Sequence, residues 1–307
     1  MTTRESERVE SERRVSVQGV STLYREAGEG PVLLLVHGNA SNGRDWQGVM
    51  RALASTHRVV VVSLPGFGET DPVGDVAPPR MVSFIAAFLD VIGVDEVIAV
   101  GHSYGGLLAA EFALAHPGRV TRLVLVDANG LGRTITPLVV AQSLIPGPLA
   151  ELVITALLLP GPALLRVALG AVQFRQPWRV PWQVWRDQLR LSFSRTFLRT
   201  SFDVVRRGVD LRGQRFVVLD RLRDIAVPTL VLWGMTDDVV PVWQALFAAW
   251  RLPEGKLAVI GGAGHIPHLD TPEEFLDHLG PFVRDDTSGT DPVPAVPQGE
   301  PRAADQS

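Results

Sequence analysis

Residues 97–117 read VIAVGHSYGGLLAAEFALAHP, and the reading of this stretch decides the fold. An apolar run, VIAVG, ends at a glycine and passes without a spacer into a segment whose apolar residues recur at helical spacing until His116-Pro117. Ser103 sits at the junction, with Gly101 two positions before it and Gly105 two after. A continuous apolar run of this length suits a strand covered on both faces, as in a parallel sheet.

Similar runs recur outward from it: VLLLV (32–36), RVVVVS (58–63), RLVLVD (122–127), TLVLWG (229–234) and LAVIG (257–261). Between them lie segments such as MVSFIAAFLDVIG (81–93), with helical spacing and a Gly or Pro at the end. The alternation predicts an α/β fold, with a mostly parallel central sheet flanked by helices and right-handed crossovers. VSVQGV and STLYREAG (15–28) read as an antiparallel hairpin at the sheet edge. The interval 130–225 is too long for one crossover helix. Its first part carries only Arg133, Glu151 and Arg166 as charges through residue 170, and Pro-Gly-Pro at 160–162 splits two short apolar helices. Residues 175–224 then hold twelve Arg and five Asp. This predicts a helical insertion lying over the sheet's C-terminal edge as a lid. The expected organisation is a charged N-terminal extension (1–14), a core in two pieces (15–129 and 226–284), the lid (130–225) and a disordered Pro/Gly/Ser-rich tail (285–307).

The chain of 307 residues is 46% hydrophobic and 20% charged, enough for a sizeable core. A formal charge of -4 and a pI near 6.0 give no reason to expect nucleic acid as a partner. Without cysteine there is no disulfide, thiolate metal site or thiol nucleophile, which fits a cytoplasmic protein. The N-terminus is charged where a secretory signal is apolar, and no apolar run reaches roughly 18 residues, so no transmembrane segment is expected.

Gly101-His102-Ser103-Tyr104-Gly105 fits G-x-S-x-G, a strand-to-helix turn so sharp that its flanking positions must be small. Ser103 would expose its hydroxyl there, with the Tyr104 amide free to donate; a plain capping serine is the bland alternative. A serine nucleophile needs a base. His265, in the loop after the last strand, lies on the same sheet edge. His268 reads as a loop or surface histidine, His57, His116 and His278 as structural or solvated, and His102, an x position of the elbow, as pointing away from the crevice. The base needs an acid, and TLVLWG leads into MTDDVVP, where Asp237 and Asp238 both qualify. One of them is expected to cap the helix near Pro241. Asp127 is a third acid, read as structural. HGNAS after VLLLV places Asn39, behind Gly38, to offer a second amide to an oxyanion.

With LLLVHGNAS, VVSLPGFGETD, VGHSYGG, LVLWGMTDDVVP and GAGHIPHLDTPEEF, the chain resembles the α/β-hydrolase superfamily, as a lid-bearing, esterase- or lipase-like member with a serine nucleophile. The resemblance implies Ser103 as nucleophile, His265 as base, Asp237 rather than Asp238 as acid, and the amides of Asn39 and Tyr104 as the oxyanion hole. It implies no metal or organic cofactor. HGN also resembles haloalkane dehalogenases, but those and the epoxide hydrolases use an aspartate where this elbow has Ser103. The expected reaction is hydrolysis of a carboxylic ester of a small to medium hydrophobic substrate through an acyl-enzyme. The alternatives are hydrolysis of a C–C bond beside a ketone and non-catalytic binding of a small ligand. Trp178, Trp182 and Trp185 either line the crevice or pack the lid. The arginines of 175–224 point to a solvated face, an anionic substrate or an acidic membrane surface.

Overall fold

Residues 10–284 are described by a computed structural model; residues 1–9 of the expected extension and the expected tail lie outside the described residues. The strands are β1 (Ser11–Val17), β2 (Val20–Ala27), β3 (Val32–Val36), β4 (Arg58–Val62), β5 (Val97–His102), β6 (Val120–Val126), β7 (Val209–Asp210), β8 (Gly213–Gln214), β9 (Thr229–Gly234) and β10 (Gly255–Ile260). Eight of them form one sheet in the order β1-β2-β4-β3-β5-β6-β9-β10, and β7 and β8 form a small hairpin of their own. β2 pairs antiparallel with β1 and β4; every other neighbour in the main sheet is parallel. The β1–β2 turn, Gln18-Gly19, has positive φ at both residues (49° and 82°), the geometry that a two-residue hairpin favours.

The continuous apolar runs are explained by two cores. Leu34, Val36, Val60, Val62, Leu123 and Leu125 face the helices Pro78–Val91 and Tyr104–Ala115. Their neighbours Leu33, Leu35, Val59, Val61, Val124 and Val126 face Gln47–Leu53 and Pro272–Arg284. Alternation of side chains along each strand feeds both layers, so no position in the run can be polar.

One expected boundary moves. Residues 11–14, assigned to the N-terminal extension, are the first half of β1, where Arg13 and Arg14 pair with Glu26 and Glu69. β1 is an edge strand with most of its residues in water, so its composition is that of a tail.

The interval between β6 and β9 holds five helices, Pro137–Ser143, Gly147–Leu157, Pro160–Gly170, Trp182–Ser192 and Arg195–Gly208, followed by the β7–β8 hairpin. Its two ends are tied together, because Gln214 N donates to Arg133 O and Val218 N to Gly130 O, both at 2.8 Å. Among the described residues no single helix is long and apolar enough to cross a membrane.

Candidate active site

Ser103 occupies the turn between β5 and the helix Tyr104–Ala115 with φ 52° and ψ -118°, a left-handed conformation for a residue with a Cβ. Such strain amounts to about 1–3 kcal/mol and persists only where the surroundings impose it. Here they do. A Cβ on Gly105 would lie 2.3 Å from the Val36 carbonyl oxygen, and one on Gly101 would lie 2.2 Å from that of Gly105. The turn is jammed between β3 and its own helix, and the hydroxyl projects at the C-terminal edge of the sheet, where open α/β sheets place ligands.

Three side chains from three other strand ends meet it. His265, in the loop after β10, brings Nε2 to 3.1 Å from Ser103 Oγ, and its Nδ1–H donates to Asp237 Oδ2 at 2.8 Å. All three side chains are buried. Burial alone would raise the Asp237 pKa, but the charge and hydrogen bond of His265, with the amides of Val240 and Val239, hold it below its ordinary value. Neither aspartate caps the following helix, contrary to expectation: Trp243–Arg251 has Val242 at its N-cap and no side-chain bond there. Asp237 serves the imidazole through Oδ2 and takes the Val239 and Val240 amides on Oδ1 at 2.7 and 2.9 Å, while Asp238 stands exposed. Asp127 closes the group from β6. Its Oδ1 accepts from Gly234 N at 3.0 Å, and burial beside Asp237 pushes its pKa well up. Asp127, Asp237 and His265 hold ligand atoms within 4.8 Å of one another, spacing compatible with a metal. The imidazole Nδ1 is already committed to Asp237, however, and burial of Asp127 disfavours the ionised carboxylate that a metal ion would need.

The other histidines carry the main corrections. His268 is no surface residue: it is buried and stacked on Trp46 with ring centroids 4.0 Å apart. His102 does not leave the crevice, because its Nε2–H donates to the His265 carbonyl at 2.7 Å and it forms part of the pocket wall. Burial, with His265 nearby, pushes the His102 pKa down to about 3. Desolvation likewise lowers the His37 pKa to about 4. His37 donates from Nδ1 to Gly38 O and accepts Leu64 N–H on Nε2, bracing the loop that carries Asn39. His57 bonds Val283 O and is structural, and His116 and His278 are half-buried.

A Cβ on Gly38 would stand 3.0 Å from Ser103 Cβ, so the HGN loop passes against the serine. Asn39 lines the pocket beside Ser103, with its side-chain amide held by the Ser201 carbonyl at 3.2 Å. Tyr104 opens its helix, and the first amide of a helix has no intrahelical acceptor.

Sequence reasoning missed Asp270. Fully buried, it accepts Gly264 N and Arg175 N on Oδ2 and Gln176 N on Oδ1, each at 2.8 Å. The carboxylate thus clamps the helical insertion to the His265 loop, and the His265 amide donates to Gln173 O at 2.9 Å beside it. Preceding Thr271-Pro272, Asp270 looks in sequence like an ordinary helix-start residue; two of its three partners lie 94 and 95 positions away.

The insertion also walls the crevice, which has about 90 Å³ of free volume. Val167, Phe174, Val184 and Trp185 give it an apolar side, while Arg166 and Gln188 add polar groups. Of the three tryptophans at helical spacing only Trp185 lines it, packed edge-on against Phe174; Trp178 and Trp182 face solvent. Among the described residues Arg166 donates only to neutral acceptors, Ser192 Oγ and the Gln188 carbonyl and side-chain oxygens, and desolvation lowers its pKa.

This arrangement can take a proton from an alcohol, hold the resulting imidazolium and offer amides to a developing anion. The sequence model of the Alpha/beta hydrolase family matches residues 33–278. The chain belongs to that family. It is 30% identical to a pimeloyl-[acyl-carrier protein] methyl ester esterase of Aeromonas hydrophila over 276 residues, 86% of this chain and 100% of that one. It is 24% identical to a 2-hydroxy-6-oxo-6-phenylhexa-2,4-dienoate hydrolase of Comamonas testosteroni over 280 residues, 85% and 90% of the two chains. Among solved structures it is similar to a membrane phospholipase A described as a bacterial virulence factor, with TM-score 0.75 and 26% identity over 91% and 87% of the chains. The hydrolase is therefore an enzyme of the α/β-hydrolase fold.

Proposed function

We infer that this hydrolase cleaves a carboxylic ester of a small to medium hydrophobic substrate through an acyl-enzyme. The observation that carries the reading is the unbroken chain Ser103 Oγ–His265 Nε2, His265 Nδ1–Asp237 Oδ2 at the floor of a crevice with an apolar wall. In this reading His265 Nε2 takes the hydroxyl proton as Ser103 Oγ bonds to the ester carbonyl carbon. Asp237 holds the tautomer and the imidazolium, and the amides of Asn39 and Tyr104 receive the oxyanion. Collapse breaks the C–O bond, and the alcohol leaves with the proton from His265. Water, deprotonated by His265, then attacks the acyl carbon and returns Ser103 and a free acid. Helices 137–208 act as the lid that excludes water and selects the acyl group, and no cofactor enters. The name of the Aeromonas relative is consistent with ester chemistry.

The experiment is turnover of short- and medium-chain p-nitrophenyl esters with Ser103→Ala as control. The variant should lose about 10⁶-fold in kcat, and a fluorophosphonate should label Ser103 alone. Turnover that survives Ser103→Ala ends the reading.

One observation favours a second reaction on the same triad. Arg166 lines the crevice without a carboxylate partner among the described residues, and the Comamonas relative's name is that of a dienoate hydrolase. A ketone carrying a carboxylate would meet that guanidinium. Turnover of a 2-hydroxy-6-oxo-dienoate far above that of neutral esters, with KM raised for the dienoate alone by Arg166→Met, would establish C–C hydrolysis instead.

A further inference from the structure

The helical insertion presents a surface to water that soluble enzymes avoid. Helices Gly147–Leu157 and Pro160–Gly170 are apolar all round. Ala150, Ile154 and Ala163 turn into the protein, while Leu149, Leu152, Leu164, Leu165 and Leu169 stand in solvent, Leu152 at 65% exposure. A helix packed on a soluble core normally carries its charges on the outer face. These two have one charge each, and both are engaged: Glu151 with Arg195 and Arg199, and Arg166 with Ser192 and Gln188. Beyond them Trp178 and Trp182 are 77% and 61% exposed, with the Arg186 guanidinium 4.6 Å from the centre of the Trp182 ring.

Charge is segregated in the same way. Residues 130–225 hold fourteen arginines against six carboxylates, a net +8, whereas the rest of a chain whose formal total is -4 carries -12. A contiguous apolar surface marks an interaction site. One flanked by arginines, with tryptophans whose rings are apolar and whose N–H seeks water, has the composition of an interfacial membrane-binding element.

We propose that this face of the insertion docks on an anionic lipid bilayer, seating the exposed leucines and tryptophans among the acyl chains and the arginines at the headgroups. The acidic body is repelled by the same surface, so the charge division also sets the orientation. The element lies along the bilayer and does not cross it, because the apolar pair Pro137–Ser143 and Gly147–Leu157 bends by 114° at its break. A second copy of the chain is a poorer occupant, since symmetric pairing of this face sets the cationic insertion of one copy against that of the other. Docking brings the crevice to the bilayer, for Val167, Phe174 and Trp185 of the same insertion line it. None of this depends on which bond the enzyme cleaves.

The test is cosedimentation of the full chain, carrying Ser103→Ala to prevent turnover, with vesicles of phosphatidylglycerol and, separately, of phosphatidylcholine. Binding should favour phosphatidylglycerol by at least about tenfold and weaken with salt. Leu152→Glu with Leu165→Glu should lower it by about a hundredfold, given the transfer energy of two leucines. Made in the active enzyme, the same pair should leave turnover of a soluble ester unchanged, which shows that the fold is intact. No binding to phosphatidylglycerol overturns the proposal, as does binding that the double variant retains. A concentration-dependent dimer that the double variant dissociates overturns it too, by making the face a self-interface.

Discussion

Replacing Asp270 by Asn tests how the insertion and the His265 loop are coupled. The carboxylate accepts three backbone amides, two on Oδ2 and one on Oδ1. In its best orientation an asparagine keeps its oxygen on Gly264 and Arg175 and turns its NH₂ toward the Gln176 amide, donor against donor. A hydrogen bond to a charged group contributes about 1.5–3 kcal/mol, and the two bonds that survive lose their charge assistance. Because a neutral amide is less costly to bury than a carboxylate, the expected net destabilisation is about 2–3 kcal/mol. Gln173 O holds the His265 amide next to the clamp, so the imidazole should lose its fixed position. A misplacement of about 1 Å can lower turnover by about 10²-fold, and a fall in kcat of about 10–100-fold is expected. Urea unfolding gives the first quantity and steady-state ester hydrolysis the second. Gly264→Ala attacks the same junction from the other side, since its Cβ would lie 2.5 Å from Gln173 O while Asp270 stays intact. It should reproduce the kinetic defect. Stability within about 0.5 kcal/mol of wild type and unchanged kcat in Asp270→Asn would refute the coupling. A normal kcat in Gly264→Ala would show that the effect of Asp270 travels by another route.

Asp237→Asn should lower kcat by about 10⁴-fold by presenting the wrong partner to Nδ1, whereas Asp238→Asn, one position along and exposed, should behave as wild type; equal losses would remove Asp237 from its role. Gly105→Ala, with a Cβ 2.3 Å from a backbone oxygen, should destabilise by more than about 4 kcal/mol or fail to fold, while Gly118→Ala, which meets nothing within 4 Å, should be tolerated in a thermal melt. His268 stays neutral in the fold because burial, with His102 and His265 beside it, holds its pKa well below 6.5. On acidification through pH 6.5 the unfolded chain binds a proton that the native site refuses, so this residue's contribution to stability falls as pH falls. His268→Phe, which keeps a ring against Trp46, should gain stability on wild type as pH falls from 7 to 5 in urea titrations; a gap that does not change with pH refutes it.

The strands, the elbow and the loops with functional promise were legible in the sequence because each obeys a local rule. Both faces of β3, β5, β6 and β9 are buried, so their runs are apolar throughout. Gly101 and Gly105 flank Ser103 because neighbouring backbone leaves no space for a Cβ. The candidate acid was legible only to within one residue from chemistry alone: Asp237 and Asp238 are the same group on adjacent positions, and the resemblance chose between them. It is the packing of the β9 loop that buries one and exposes the other.

What the tertiary structure decided are the contacts between parts distant along the chain. Ser103 and His265 are 162 positions apart, and Asp270 reaches 95 back to Arg175. Neither distance leaves a trace in periodicity or capping patterns. His102 and His268 were misplaced for the same reason: an imidazole is at home in water or in a core, and only the neighbouring elements determine which. Local preference sets which backbone and side-chain groups must be satisfied, and the packed sheet sets which partners satisfy them.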